Sequence, residues 1–81
     1  MPRGHDFRFL EEIGRRLQNR REELDMSQES IARIAKITAQ QLSRYELGLS
    51  DAPISTLKRI CAALQMSITA LLVQTSIMSE Q

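Results

Sequence analysis

The sequence is short of most things a β-protein needs. Its 81 residues include only 3 Gly and 2 Pro, and aromatic residues make up 4% of the chain, with no Trp. Turn formers this sparse, without alternating β-branched or aromatic runs, argue against a sandwich or barrel. A single Cys, Cys61, excludes an intrachain disulfide framework and any multi-cysteine zinc site. So little cysteine suits a reducing compartment, and the expected location is the cytoplasm. The one His, His5, lies in the loose first residues, far from any positioned partner in the expected fold, so no Ser/His/Asp or Cys/His set is plausible. The glycines are scattered rather than gathered into a phosphate-binding loop. No enzyme, cofactor or metal site is therefore expected. Met1 to Leu10 lack the apolar stretch of a signal peptide, and no run approaches the roughly 18 apolar residues of a membrane span. Charge of one sign is missing too: 11 Lys+Arg face 10 Asp+Glu, a net +1. That excludes a histone-like polycation. It does not exclude a nucleic-acid binder, in which the placement of charge matters more than its sum.

What the chain does have is helical periodicity. Hydrophobic residues at 42% and charged residues at 26% are ordinary globular values, and the length allows one domain with a small core. Residues 1–8, with Pro2 and Gly4 and no periodicity, read as a loose arm. Leu10, Ile13, Leu17 and Leu24 then recur at helical steps, predicting a helix from Phe9 to Leu24. Its other face carries Arg15, Arg16, Arg20 and Glu22, and its carboxylates look like a solvated, charge-paired surface. Ser27 can cap a short second helix that starts at Gln28 and turns Ile31, Ala32 and Ala35 inward. Thr38-Ala39-Gln40-Gln41 fits a capping box, flanked by Ile37 and Leu42 as a hydrophobic staple. A third helix thus starts at Thr38 and should stop before Gly48. Pro53 suits the first turn of a fourth, whose buried stripe is Ile54, Leu57, Ile60, Cys61 and Leu64. Ser67 can cap a fifth, with Ile68, Leu71 and Leu72 inward; residues 74–81 form a tail. The expectation is an all-α, five-helix domain over residues 9–73.

Two short helices joined by a tight turn, the second firmly capped, read as a helix-turn-helix. In that motif the second helix enters the DNA major groove. At about 100° per residue, Leu42, Tyr45 and Glu46 share one side of the third helix, and Gln40, Ser43, Arg44 and Leu47 the other. Gln40 and Arg44 sit side by side at i, i+4. Gln can bond bidentately to adenine and Arg to guanine, each good pair adding about 1–3 kcal/mol of discrimination. A plain solvated face would look similar. The capped start and the short preceding helix favour the DNA reading.

Gln28-Glu29-Ser30-Ile31-Ala32-Arg33-Ile34-Ala35-Lys36-Ile37-Thr38, followed by Leu42-Ser43-Arg44-Tyr45-Glu46-Leu47-Gly48, resembles the helix-turn-helix of the phage lambda repressor and Cro type, the XRE family of bacteria. Ile13-Gly14 with Arg21 is similar to that family's first helix, and Thr56-Leu57 through Ala63-Leu64, then Ser67 to Leu72, to its last two. The resemblance covers about residues 9–73 and implies a sequence-specific regulator of transcription that binds double-stranded DNA as a homodimer. By position it implies that Gln28 clamps a phosphate, that Ala39, Gln40 and Arg44 read bases, that Gln41 and Ser43 lie nearer the backbone, and that Thr38 belongs to the same DNA-binding set. Arg21 and Glu46 match an ion pair between the first and third helices that turns Arg21 toward phosphate. Tyr45 and Leu42 match core positions.

The sequence departs from that pattern at three places. Lys36 stands at a turn position often held by Gly, where a left-handed backbone costs an ordinary residue roughly 1 kcal/mol. The loop from Leu47 to Pro53 lacks the Lys or Arg that many relatives place on phosphates, leaving the backbone N–H groups that open the fourth helix. Ile34 is apolar where an outward residue is expected, to be covered by the arm or by a partner. Leu72, Val73, Ile77 and Met78 exceed what the core needs and are the candidate dimer surface. Arg3 and Arg8 could reach along DNA, a frayed terminus being the plainer reading. The alternative to a DNA-binding regulator is an antitoxin-like or helical interaction module of the same fold, bound to a protein partner.

Overall fold

The computed structural model describes residues 3–73, with side chains from residue 8 onward. The tail residues Ile77 and Met78 therefore lie outside the described residues. Those described form five helices and no strand: α1 (Arg3–Glu23), α2 (Gln28–Ala35), α3 (Ala39–Glu46), α4 (Ile54–Ala63) and α5 (68–73). Four of the five begin within a residue of where caps and periodicity put them. The exception is α1, which starts at Arg3 rather than Phe9, so residues 3–8 of the stretch read as a loose arm are helical. Arg8 and Phe9 are exposed there. A helix that runs on past the core needs no apolar stripe, so periodicity cannot mark its start.

The core gathers Ile13 and Leu17 from α1, Ile31 and Ala35 from α2, Leu42 from α3, Leu57, Ile60 and Cys61 from α4, then Leu64 and Leu71. α2 packs on α4 and α3, and α1 packs on α3. Ile54 does not join the buried stripe of α4: it is 63% exposed. It lies on the correct face, but a turn beyond the end of the core. Thr56 is buried beside Leu57 instead.

Four helices end the same way. Asp25, Lys36, Gly48 and Gln65 take left-handed φ values of 59°, 63°, 74° and 57°. The next N–H, from Met26, Ile37, Leu49 or Met66, donates back to the carbonyl of Arg21, Ala32, Arg44 or Cys61 at 2.9–3.2 Å. This is the Schellman closure, completed where the following apolar residue packs inward, as Met26, Ile37 and Met66 do. Three of the four left-handed residues have side chains, which costs Lys36 and Gln65 roughly 1 kcal/mol each and Asp25 less. At Gly48 a side chain would also meet α1, since a Cβ there would lie 2.8 Å from the Glu11 Cα.

Arginines reinforce these ends from other helices. Arg20 Nε donates to the Leu64 carbonyl at 2.9 Å and its Nη2 to Gln65 at 3.3 Å. Arg20 is thus not a solvated residue of α1, as its place opposite the apolar stripe suggested. Arg59 Nε reaches the last carbonyl of α2, Ala35, at 2.8 Å. No described helix is long and apolar enough to cross a membrane.

Candidate nucleic-acid interface

The two central helices are capped as their sequence requires. Ser27 Oγ accepts from the Ser30 N–H at 3.1 Å and starts α2. Thr38 Oγ1 accepts from the Gln41 N–H, and Gln41 Oε1 from the Thr38 N–H, both at 3.0 Å. This reciprocal pair fixes where α3 begins and commits the Gln41 carbonyl oxygen to the cap. Between the helices, Lys36 is held left-handed by three bonds: Lys36 N–H to Arg33 at 3.3 Å, Ile37 N–H to Ala32 at 3.0 Å, and Arg59 to Ala35 at 2.8 Å. Sequence reasoning missed Arg59, because its contact spans 24 residues. Arg59→Met should lower stability by about 1 kcal/mol and speed hydrogen exchange at the Ile37 amide. Unchanged exchange there would show that Arg59 does not support the turn.

α3 divides as its helical wheel predicts. Leu42 and Glu46 are buried and Tyr45 is half-buried, while Gln40, Arg44 and Leu47 are exposed. Ala39 and Ser43 are half-buried beside them. Arg44 does not hang free: its Nε donates to Ser50 Oγ at 3.0 Å. Nothing in the sequence pattern marked Ser50.

Behind this face lies a compact polar cluster. The Glu46 carboxylate, on a side chain only 3% exposed, accepts from Arg21 Nε at 2.7 Å and Arg21 Nη2 at 3.1 Å. It also accepts from Gln28 Nε2 at 2.8 Å. Arg21 Nη1 goes on to the Met26 carbonyl at 2.9 Å. One buried carboxylate therefore ties α1, the start of α2 and the end of α3 together. The Arg21–Glu46 pair was expected; its junction with Gln28, 18 residues from Glu46, was not. The hydrogen bond to Glu46 is the main cause that raises the Arg21 pKa; burial opposes it, and the charges of Glu46 and Glu22 add to the rise. A raised cationic pKa stabilises at every pH below the guanidinium's ordinary range, so Arg21 adds no pH dependence near neutrality. α1 approaches this end of α3 at Gly14, where an added Cβ would run into the carbonyl oxygens of Tyr45 and Glu46.

The remaining residues singled out in the sequence are dispersed. Leu72 is half-buried and Val73 is exposed. Ile34 is 55% exposed, so no described part of the chain covers it. Cys61 sits in the core, where burial pushes its thiol pKa up, away from a reactive thiolate. Among the described residues no cluster of His, Cys, Asp or Glu could hold a metal ion. An apolar cleft of about 420 Å³, lined by Phe9, Leu10, Tyr45, Pro53, Ile54 and Leu72 among others, opens beside α1 and α5.

A short helix, a left-handed turn and a second helix with a capped start and an open polar face define a helix-turn-helix DNA-binding domain. The chain belongs to the helix-turn-helix family HTH_3, the XRE family, whose pattern matches residues 17–71. Members of this kind are DNA-binding transcription regulators. Two crystal structures of the clp gene regulator ClgR from Corynebacterium glutamicum are similar, with TM-scores of 0.76 and 0.78 and 23% identity in each case. Each match covers 82% of this chain, and 86% and 70% of the respective ClgR chains. At that identity the likeness is one of fold. No curated protein matches the sequence.

Proposed function

We propose that the protein is a sequence-specific repressor that occupies a near-palindromic operator as a homodimer in the cytoplasm, without catalysis. The observation that carries this reading is the open face of α3: Gln40 and Arg44 exposed on a helix whose start is fixed by its cap and whose far end is tied down through Glu46. Gln40 and Arg44 read base edges, with Ala39 small enough to let the helix approach. Thr38, Gln41 and Ser43 lie along the sugar–phosphate backbone. Gln28 and Arg21 donate to phosphates with the N–H groups that Glu46 and Met26 leave unused. One such motif spans few base pairs, so specificity calls for two copies on half-sites about 34 Å apart. The apolar cleft, with Phe9 and Ile54 exposed on its rim and Val73 exposed next to Leu72, supports a second copy as its occupant.

The test is selection from random duplex DNA at about 150 mM salt, where non-specific phosphate binding is weak. An inverted repeat with half-sites one helical turn apart is expected. Gln40→Ala should then relax preference at one base pair per half-site, a loss of about 1–3 kcal/mol. Gln28→Ala should weaken every sequence alike. No enrichment by a folded protein would overturn the reading. It would favour the antitoxin-like or interaction module, which the internal use of Arg20, Arg21 and Arg59 also supports.

A further inference from the structure

We propose that Ser50 is a positioning residue for Arg44, holding its guanidinium so that its terminal nitrogens meet a guanine end-on. The inference rests on the reading of Arg44 as a base-contacting residue and adds a second residue to that contact. Its basis is a short chain of geometry. Gly48, left-handed at φ 74°, reverses the backbone after α3. The reversal is closed by the Leu49 N–H on the Arg44 carbonyl at 2.9 Å, so the loop folds back over the residue that reads the groove. Two residues past Gly48, half-buried Ser50 accepts the Arg44 Nε hydrogen at 3.0 Å.

A guanidinium has donors on two edges and at its end. With Nε engaged by Ser50, the free arrangement is the Nη1/Nη2 end, which matches the O6 and N7 acceptors that guanine presents in the major groove. An exposed arginine otherwise samples many rotamers, and ordering it on binding weakens the complex. Anchoring Nε beforehand removes part of that loss for the one orientation that suits guanine. The Ser50 hydroxyl hydrogen stays available, since the oxygen is the acceptor. The loop around Ser50 carries no cation between Leu47 and Pro53, so this segment contributes to recognition through orientation and not through charge.

The experiment repeats the selection from random duplex DNA with four proteins: the original chain, Ser50→Ala, Ser50→Thr and Arg44→Ala, each first shown to be folded by thermal unfolding. Arg44→Ala is expected to erase the preference for guanine at one position of each half-site. Ser50→Ala is expected to reduce that same preference about threefold to tenfold, leaving the other positions and the affinity for unselected DNA unchanged. Ser50→Thr, which keeps the hydroxyl, should restore it. If Arg44→Ala erases the guanine preference and Ser50→Ala leaves it intact, Ser50 does not position Arg44. If Ser50→Ala weakens all sequences equally, Ser50 is a backbone contact and the proposal is overturned. If Arg44→Ala leaves every preference unchanged, the reading of Arg44 itself fails, and the role of Ser50 with it.

Discussion

Glu46→Ala is expected to destabilise the protein by about 3–5 kcal/mol, the effect of stranding a buried cation without its partner. Arg21 would keep only the Met26 carbonyl, and Gln28 would lose its acceptor. A domain of this size has a total stability of roughly 4–12 kcal/mol, at 0.05–0.15 kcal/mol per residue, so the variant should be near the limit of folding at 37 °C. Glu46→Gln keeps an oxygen in place and should cost less. The double variant Arg21→Met, Glu46→Leu should recover much of the loss, because an apolar pair of similar volume often matches a buried ion pair. Urea unfolding of the three variants measures this. A loss under 1 kcal/mol in Glu46→Ala would mean that water reaches the pair and screens it.

Gly14→Ala poses a question of sign. In an ordinary helix interior the change gains about 0.5–1 kcal/mol. Here the added methyl meets the Tyr45 and Glu46 carbonyls, backbone atoms that cannot swing aside. α1 must separate from α3, and overpacking of this kind costs about 3 kcal/mol. The overpacking loss exceeds the propensity gain, so the net is destabilisation and a fall in Tm of roughly 10 °C. A rise in Tm would show that the helices do not approach so closely. Because the strain falls on the end of α3, the variant that does fold should also bind DNA with the recognition helix displaced, lowering discrimination between sequences.

Local signals were legible and distant ones were not. The caps at Ser27 and Thr38 and the inward residues of α2 and α3 depend on neighbours within four positions, and the structure matches them. The left-handed Lys36 was legible through the family resemblance, which marks that place as a turn position often held by Gly. The early start of α1 was not, since residues beyond the core need obey no apolar period. The exposure of Ile54 depends on where the core ends, which no single helix records. The arginine bonds to Ala35 and Leu64 span 24 and 44 residues, and no pattern along the chain distinguishes such an arginine from a solvated one. In the site, the wheel separated Gln40 and Arg44 from Leu42 and Glu46 correctly. It could not show that Ser50 folds back onto Arg44 or that Gln28 shares the Glu46 carboxylate.

The arginines that close helix ends bear on how the protein finds its target. Affinity for arbitrary DNA comes from cations set against phosphates and sustains sliding along the duplex. Arg20, Arg21 and Arg59 give much of their donor capacity to carbonyls and a carboxylate of their own chain. If the protein binds DNA as proposed, encounters with the wrong sequence should therefore be brief. On the proposed reading, the search for an operator would then proceed by repeated release and recapture more than by long one-dimensional scans.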